Sequence, residues 1–179
     1  MPPPPVAREK SLNALVKLVL EQGEKAATLD AVAGAAGISK GGLMYHFPTK
    51  EALVEGLMGV VEELAAEDVR RMRKHPEGPA DYHIRTSTYQ DTAVDRAVVA
   101  TMRLSQGSNA VAQRTMGRIR QSWLDALKEQ IDDPAVAEAV LLMGDGLYFA
   151  AASAGVINRS ADDVEALVGV VNRLIDPRS

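Results

Sequence analysis

The chain has 179 residues, of which 46% are hydrophobic and 25% charged, the balance of a soluble globular protein with one or two domains. It contains no cysteine, which excludes disulfides, cysteine zinc sites, iron–sulfur clusters and thiol catalysis, and which fits a cytoplasmic location. No apolar segment of a secretory signal follows the N-terminus, and the uncharged stretch Gly146–Asn158 is too short to span a bilayer. We therefore expect no membrane contact.

The formal net charge is −4, and it is unevenly distributed along the chain. Residues 1–50 carry a net charge of +2, whereas the remaining residues carry −6. A mildly basic N-terminal part on an acidic body indicates that the N-terminal part contacts a polyanion.

The apolar residues recur at helical spacing in successive blocks, and no run alternates with the period of a strand. The tetraproline cannot continue a helix, so we expect residues 1–5 to form a mobile arm. Thr28 and Ser39 are typical N-caps, and the segment 75–79, with two prolines and a glycine, is the clearest interior boundary. The sequence predicts an all-α fold of nine helices. These are Val6–Gln22, Leu29–Ala36, Lys40–Phe47, Lys50–Lys74, Ala80–Asp91, Thr92–Gln106, Ala110–Ile131, Pro134–Val156 and Ala161–Ile175.

Residues 28–50 predict two short helices around a three-residue turn. Gly37 supplies a left-handed conformation at the turn, and Ile38, Leu43 and Phe47 fill a shared core. This is the layout of a helix-turn-helix, whose second helix enters the major groove with its N-terminus leading. An ordinary helical hairpin has the same spacing, so spacing alone leaves both interpretations open.

A denser pattern surrounds this segment. It consists of Thr28, Val32, Ala33, Ala36, Gly37, Ile38, Ser39, Gly41, Leu43, Phe47, Lys50, Glu51, Ala52 and Leu53. With these residues the run 28–53 resembles the N-terminal DNA-binding domain of the TetR family of transcriptional repressors. The resemblance implies three N-terminal helices, a long linking helix and a helical body. Residues 1–49 would then form the DNA-binding domain and residues 50–179 the ligand-binding and dimerisation domain. Beyond residue 60 the resemblance is one of layout and length.

The resemblance also implies roles in DNA binding. The second helix of the motif would read base edges from its first turn, and the cap and the start of the linking helix would bind phosphate. Two positions depart from the family pattern: Gly42 stands where members often have Thr, Ser or Ala, and Met44 where they often have Tyr. Direct base readout is therefore expected to rest on Lys40 and Tyr45, with DNA shape contributing. The residues predicted to contact DNA are Thr28, Ser39, Lys40, Gly41, Gly42, Tyr45, His46 and Lys50.

The body is expected to hold a dimer interface and a ligand pocket, as the resemblance implies. Apolar stripes on the last two predicted helices would form a four-helix bundle across a two-fold axis, although both stripes could also be buried within one subunit. The predicted interface residues are Val140, Gly144, Leu147, Tyr148, Ala151, Val164, Leu167, Val168 and Val171. Methionines and aromatic residues of the middle helices could line a pocket for a small apolar or amphipathic ligand, or simply be core. The candidates are Tyr89, Met102, Arg103, Met116, Trp123, Met143 and Phe149.

The sequence thus predicts a cytoplasmic, sequence-specific DNA-binding regulator without a cofactor. We expect a homodimer that binds a palindromic double-stranded operator and represses until a small molecule releases it. An activator of the same fold is one alternative. A helical protein-binding scaffold with a vestigial helix-turn-helix is another, motivated by Gly42 and Met44. Catalysis is not expected because the acids are scattered. No metal is expected because His46, His75 and His83 lack metal-ligand spacing.

Overall fold

The computed structural model describes residues 4–107, 109–154 and 160–176, and every regular element in these ranges is helical. The predicted all-α fold is therefore confirmed for the described part of the chain. A 3-10 helix, Glu24–Ala26, lies between the first two α-helices. The α-helices are α1 Pro4–Gln22, α2 Leu29–Ala36, α3 Lys40–His46, α4 Lys50–Arg73, α5 Pro79–Thr86, α6 Ala93–Gln106, α7 Ala110–Lys128, α8 Pro134–Ala154 and α9 Ala161–Ile175.

The start of α1 corrects the predicted mobile arm. Pro4 and Pro5 belong to the first turn of α1, where a proline is tolerated because the first N–H groups of a helix have no partner within it. Residues 1–3 of the predicted arm lie outside the described residues, as does the predicted end of α8 at Val156.

The predicted helix 80–91 is too long. It ends at Thr86, and residues 87–92 are irregular. The hydroxyl of Thr86 donates to the carbonyl of Tyr82, and that of Ser87 donates to the carbonyl of His83, so these side chains compete with continued helix at its C-terminus. Helix α6 then begins after a capping box between Thr92 and Asp95.

The predicted caps of the N-terminal helices are present. The Thr28 hydroxyl accepts a hydrogen bond from the Ala31 N–H at 3.2 Å, and the Ser39 hydroxyl accepts one from the Gly42 N–H at 3.1 Å. Gly37 adopts φ 65°, the left-handed conformation that ends α2 without a Cβ penalty.

The chain divides into two compact units. Unit 1 comprises Met1–Leu64 and Asp91–Arg118, and unit 2 comprises Ala65–Gln90 and Ile119–Ser179. Unit 1 therefore holds the three N-terminal helices together with the first part of α4, all of α6 and the start of α7. This structural division differs from the functional division predicted after residue 49, because α6 packs against α1.

The core of unit 1 fixes α3 against its neighbours. Leu43 is fully buried and Phe47 is nearly so. The Phe47 ring lies so close to Gly56 on α4 that a Cβ there would stand 2.5 Å from its Cε1 atom. A small residue at position 56 therefore allows the aromatic ring to fill this space.

The core of unit 2 is built around α5, which contacts both α8 and α9. Ile84 of α5 packs with Val140 and Leu141 of α8 and with Val171 of α9. The segment Pro134–Ala152 of α8 is long and apolar enough to cross a membrane by length and composition alone. Such a composition also suits a helix with one face in a protein core, and Val140 and Leu141 occupy that position here.

The left-handed conformation of Gly37 gives a stability prediction. Gly37→Ala should lower the free energy of unfolding by about 1–2 kcal/mol, because a Cβ is disfavoured at φ 65°. Gly34→Ala is the matched control: Gly34 lies within α2 with open space around its Cα, so alanine should raise stability by about 0.5–1 kcal/mol. Urea unfolding followed by circular dichroism measures both. Equal effects of the two variants would contradict this explanation.

Candidate nucleic-acid interface

Helices α2 and α3 form a tight two-helix unit within unit 1. The turn between them is held by the Ile38 N–H, which donates to the Ala33 carbonyl at 3.1 Å. Because Leu43 and Phe47 point into the core, the other face of α3 is presented to solvent. Tyr45 on that face is 83% exposed, and its neighbour Met44 is 42% exposed.

The first turn of α3 carries very little side-chain bulk. Gly41 is exposed, with nothing within 4 Å of where its Cβ would be. Gly42 is close only to the Ser39 hydroxyl, at 3.1 Å from a built Cβ. Neither glycine has a left-handed backbone, so the fold does not demand glycine at these positions. Their effect is to let another molecule approach the helix backbone closely.

The two lysines predicted to contact DNA already have partners within unit 1. The ammonium group of Lys40 lies 3.0 Å from the Asp30 carboxylate, and both side chains are largely exposed. The ammonium group of Lys50 donates to the Glu24 carbonyl at 2.7 Å. An exposed pair such as Lys40–Asp30 contributes little to stability, so a phosphate can compete for the lysine. The sequence interpretation did not include Asp30, although its position in the first turn of α2 was visible.

The remaining predicted DNA contacts lie around the same two helices. The rings of Tyr45 and His46 meet edge to face with 5.2 Å between centroids, and His46 is half-buried. The Thr28 hydroxyl accepts the α2 cap bond, and it keeps its own proton to donate to a phosphate. All eight predicted residues thus lie in α3, at the N-caps of α2 and α3, or at the first position of α4.

The predicted ligand residues divide between the two units. Met102, Arg103 and Met116 belong to unit 1, and the other four belong to unit 2. The Arg103 guanidinium donates to the Leu20 carbonyl in the last turns of α1, a contact within unit 1. In unit 2, Phe149 is 50% exposed.

The other predicted ligand residues of unit 2 have contacts of their own. The rings of Tyr89 and Tyr148 meet edge to face at 6.3 Å, and Met143 packs against the core. The Trp123 indole N–H donates to the Asp68 carboxylate at 3.0 Å. The Tyr82 hydroxyl donates to the same carboxylate at 2.8 Å. Burial and the neighbouring Asp68 charge raise the pKa of Tyr82 to about 12, so it remains a hydrogen-bond donor.

A second polar group in unit 2 surrounds His83, which the sequence analysis considered only as a metal ligand. His83 is buried, with its Nε2 atom 3.5 Å from the Leu141 carbonyl of α8. A Cβ at Gly144 would stand 2.1 Å from that nitrogen, so the glycine makes room for the ring. Burial lowers the pKa of His83, whereas burial raises the pKa of Asp145, whose carboxylate lies 3.0 Å from the Arg120 guanidinium.

The predicted interface residues lie on α8 and α9, and five of the nine are buried within unit 2. Gly144 packs on His83, and four of the apolar side chains are buried in the core of unit 2, where no surface is left for a partner. These four are Val140, Leu147, Val168 and Val171. Tyr148, Ala151, Val164 and Leu167 are partly buried. The large apolar residues that α8 and α9 do expose are Leu142, Phe149, Val170 and Leu174.

The capped pair α2–α3, with one face of α3 buried and the other open, has the geometry of a helix-turn-helix. Residues 12–57 match the family described as "Bacterial regulatory proteins, tetR family". Residues 77–176 match the "Tetracyclin repressor-like, C-terminal domain". The chain therefore belongs to the TetR family and is a DNA-binding transcriptional regulator. The predicted resemblance is confirmed.

Solved structures share this fold over nearly the whole chain. GusR of Salmonella enterica is 22% identical, with a TM-score of 0.73, and the match covers 98% of this chain and 97% of GusR. The multidrug binding protein EbrR, complexed with malachite green, is 18% identical with a TM-score of 0.70, covering 94% and 97%. PfmR of Thermus thermophilus is 17% identical with a TM-score of 0.63, covering 94% and 95%. No curated protein sequence matches the chain.

The buried imidazole predicts how stability depends on pH. The folded-state pKa of His83 is lowered by burial, so the unfolded chain binds a proton more readily. His83 contributes fully to the free energy of unfolding above its pKa in the unfolded chain, which is about 6.5. This contribution is lost as the pH falls below that value. Urea unfolding from about pH 8 to 5 should therefore show falling stability on acidification.

The comparison variants are His83→Gln and His46→Gln. His83→Gln should make the free energy of unfolding less dependent on pH. His46→Gln, which removes a histidine outside the core, should leave that pH dependence unchanged. Each variant lacks one histidine and keeps every other titratable group, including Asp145. The comparison of His83→Gln with the unsubstituted chain therefore reports on His83, and His46→Gln controls for the loss of an imidazole elsewhere. Identical pH profiles would rule out the burial of His83 as the cause.

Proposed function

We propose that the chain is a cytoplasmic homodimeric repressor that binds a palindromic operator and leaves it when a small molecule binds the body. Membership of a family of bacterial regulators supports the class of function. The observation that carries the proposal is the open face of α3, where Tyr45 is 83% exposed beside a nearly bare helix start.

The open face of α3 suits the major groove. Gly41 and Gly42 allow the α3 backbone to approach the DNA, and Tyr45 reaches furthest into solvent. Lys40 can exchange Asp30 for a base or phosphate, because both members of that pair are exposed. Thr28 and Lys50 flank the helix and hold phosphates, which fixes its register without reading sequence. We propose these roles for the eight residues predicted from the sequence.

A palindromic operator requires two copies of α3, and α8 offers a surface for pairing. Its exposed positions are Ala135, Ala139, Leu142, Gly146 and Phe149, which recur at alternating spacings of four and three residues. This is the repeat of helices that pack side by side at a small angle. We propose that this outward stripe, with Val170 and Leu174 of α9, forms the dimer interface. The proposed interface lies on the two helices that the sequence predicts for it, but on the face opposite to the predicted residues.

Release by a ligand requires a ligand that binds the body differently in the two states. Helix α4 begins at Lys50 and ends at Arg73, and we propose that ligand binding displaces this helix. The complex of EbrR with malachite green shows that a protein of this fold binds an aromatic dye. We propose a small apolar or amphipathic ligand for this chain.

Selection of bound duplexes from a random pool tests the proposal. We expect enrichment of a palindrome whose half-sites are centred about 34–36 Å apart. A reporter gene placed behind the selected sequence then distinguishes repression from activation. Enrichment of no sequence, with no duplex binding at low salt, would favour a scaffold function.

Lys50→Ala tests the phosphate contact. The variant should weaken binding to all duplexes alike and reduce the slope of log affinity against log salt by about one unit. Fluorescence anisotropy over a salt series measures both quantities. Lys128→Ala, an exposed lysine at the end of α7, is the control and should leave affinity and slope unchanged. The Lys50 ammonium group also donates to the Glu24 carbonyl, so the substitution can affect stability. Thermal unfolding of the variant is therefore measured alongside DNA binding. A changed sequence preference with an unchanged slope would assign Lys50 to base readout.

Leu142→Glu and Phe149→Glu test the dimer interface. Each places a charge in the proposed contact twice, once per subunit, and should raise the dimer dissociation constant by about a hundredfold or more. Sedimentation velocity measures the shift to monomer, and the helical circular dichroism should persist because both residues are exposed. Val94→Glu replaces an equally exposed apolar residue of α6 and should leave the dimer intact. Unchanged assembly in both α8 variants would place the interface elsewhere.

A further inference from the structure

Three potential metal ligands converge where α4 gives way to α5 in unit 2. His75 follows α4, Glu77 lies in the intervening turn and Asp81 lies in the first turn of α5. The His75 Nε2 atom is 3.0 Å from Asp81 Oδ1 and 3.4 Å from Glu77 Oε2. One ligand atom from each of the three residues falls within 4.8 Å of the others.

The backbone between these residues has a fixed course. The Gly78 N–H donates to the His75 carbonyl at 3.0 Å, which closes a turn across residues 75–78. Gly78 has φ 92°, a conformation that side-chain-bearing residues rarely adopt. The Gln130 carboxamide accepts a hydrogen bond from the Ala80 N–H at 2.9 Å and secures the start of α5.

The side chains are also held by neighbours outside the group. The His75 ring meets the Tyr82 ring edge to face, with 5.5 Å between centroids. Asp81 is buried, and its Oδ1 atom accepts a hydrogen bond from Arg85 Nε at 2.7 Å. Arg85 also donates to Glu165 at 2.8 Å, so its positive charge is offset outside the group. Such outer contacts commonly orient metal ligands.

Hydrogen bonds among these three side chains cannot pair both carboxylates with the imidazole at the same time. The Nε2 atom of a neutral imidazole carries at most one proton, yet two carboxylate oxygens face it. A cation shared by all three atoms satisfies them together. Ligands placed 2.0–2.1 Å from a tetrahedral ion are separated from one another by about 3.3 Å, which is close to the two measured separations.

We propose that His75, Glu77 and Asp81 bind one divalent transition-metal ion of the Zn²⁺ class, with water completing the coordination. An imidazole with two carboxylates suits Zn²⁺ better than Mg²⁺, which prefers oxygen ligands alone. The inference does not depend on the proposed function. It also revises the expectation of no metal, which considered the spacing of the three histidines and not of one histidine with two acids.

Isothermal titration of the full-length chain, free of any histidine tag, with Zn²⁺ tests the proposal. We expect one ion per chain, a higher Tm in its presence and much weaker binding of Mg²⁺. Glu77→Gln should weaken Zn²⁺ binding about tenfold or more and leave the fold intact, because Glu77 is largely exposed. His75→Gln should weaken binding further and abolish the Tm increase.

His46→Gln is the matched control, because it removes an imidazole from α3 in unit 1. It should bind Zn²⁺ like the unsubstituted chain. Absence of saturable Zn²⁺ binding would overturn the proposal. So would a Zn²⁺ affinity that is unchanged in both the His75 and the Glu77 variants, since binding would then occur at other residues.

Discussion

The burial of Leu43 and Phe47 is the contact on which the DNA-binding surface depends. Helix α3 has only seven residues, too few to be stable by itself in water. Its course is fixed because these two side chains enter the core of unit 1, with Gly56 on α4 leaving room for the aromatic ring. The same packing turns Tyr45 outward. The exposed face of α3, which we propose contacts DNA, is thus fixed by the packing of its opposite face.

The two lysines proposed to contact DNA already have partners within the N-terminal part of the chain. Asp30 pairs with Lys40 at the surface, and the Glu24 carbonyl accepts a hydrogen bond from Lys50, so both ammonium groups have partners within unit 1. The exposed Lys40–Asp30 pair contributes little to stability, so under the proposed function a phosphate can replace the carboxylate at little cost. The small net charge of +2 over residues 1–50 therefore understates the capacity of this surface to bind a polyanion.

Local signals in the sequence predicted the features that depend on local chemistry. The caps at Thr28 and Ser39 and the turn at Gly37 follow from one or two residues each, and the dense pattern around them identified the family. The early end of α5 was missed because it depends on hydroxyl groups of Thr86 and Ser87 that bond back to the helix.

Which face of a helix is buried could not be predicted for α8. Its composition is apolar on both sides, so Val140 and Leu142 are equivalent in sequence, although one is fully buried and the other is half exposed. The packing of α5 and α9 against α8 distinguishes them. The convergence of His75, Glu77 and Asp81 was likewise invisible, because it requires the turn at Gly78 that brings α5 back beside the end of α4.

Unit 1 is formed by two separate segments of the chain, and this limits where the chain can be divided to make a fusion protein. Its segment 91–118 returns after 26 residues that belong to unit 2. Arg103 of this segment donates to the Leu20 carbonyl of α1, and Asn109 donates to the Glu24 carboxylate of the following 3-10 helix. A gene fusion joined after α4 would pair the first helices with a foreign sensor and remove these contacts. Exchange of sensors between relatives by recombination is therefore constrained to junctions that carry α6 along with the DNA-reading end.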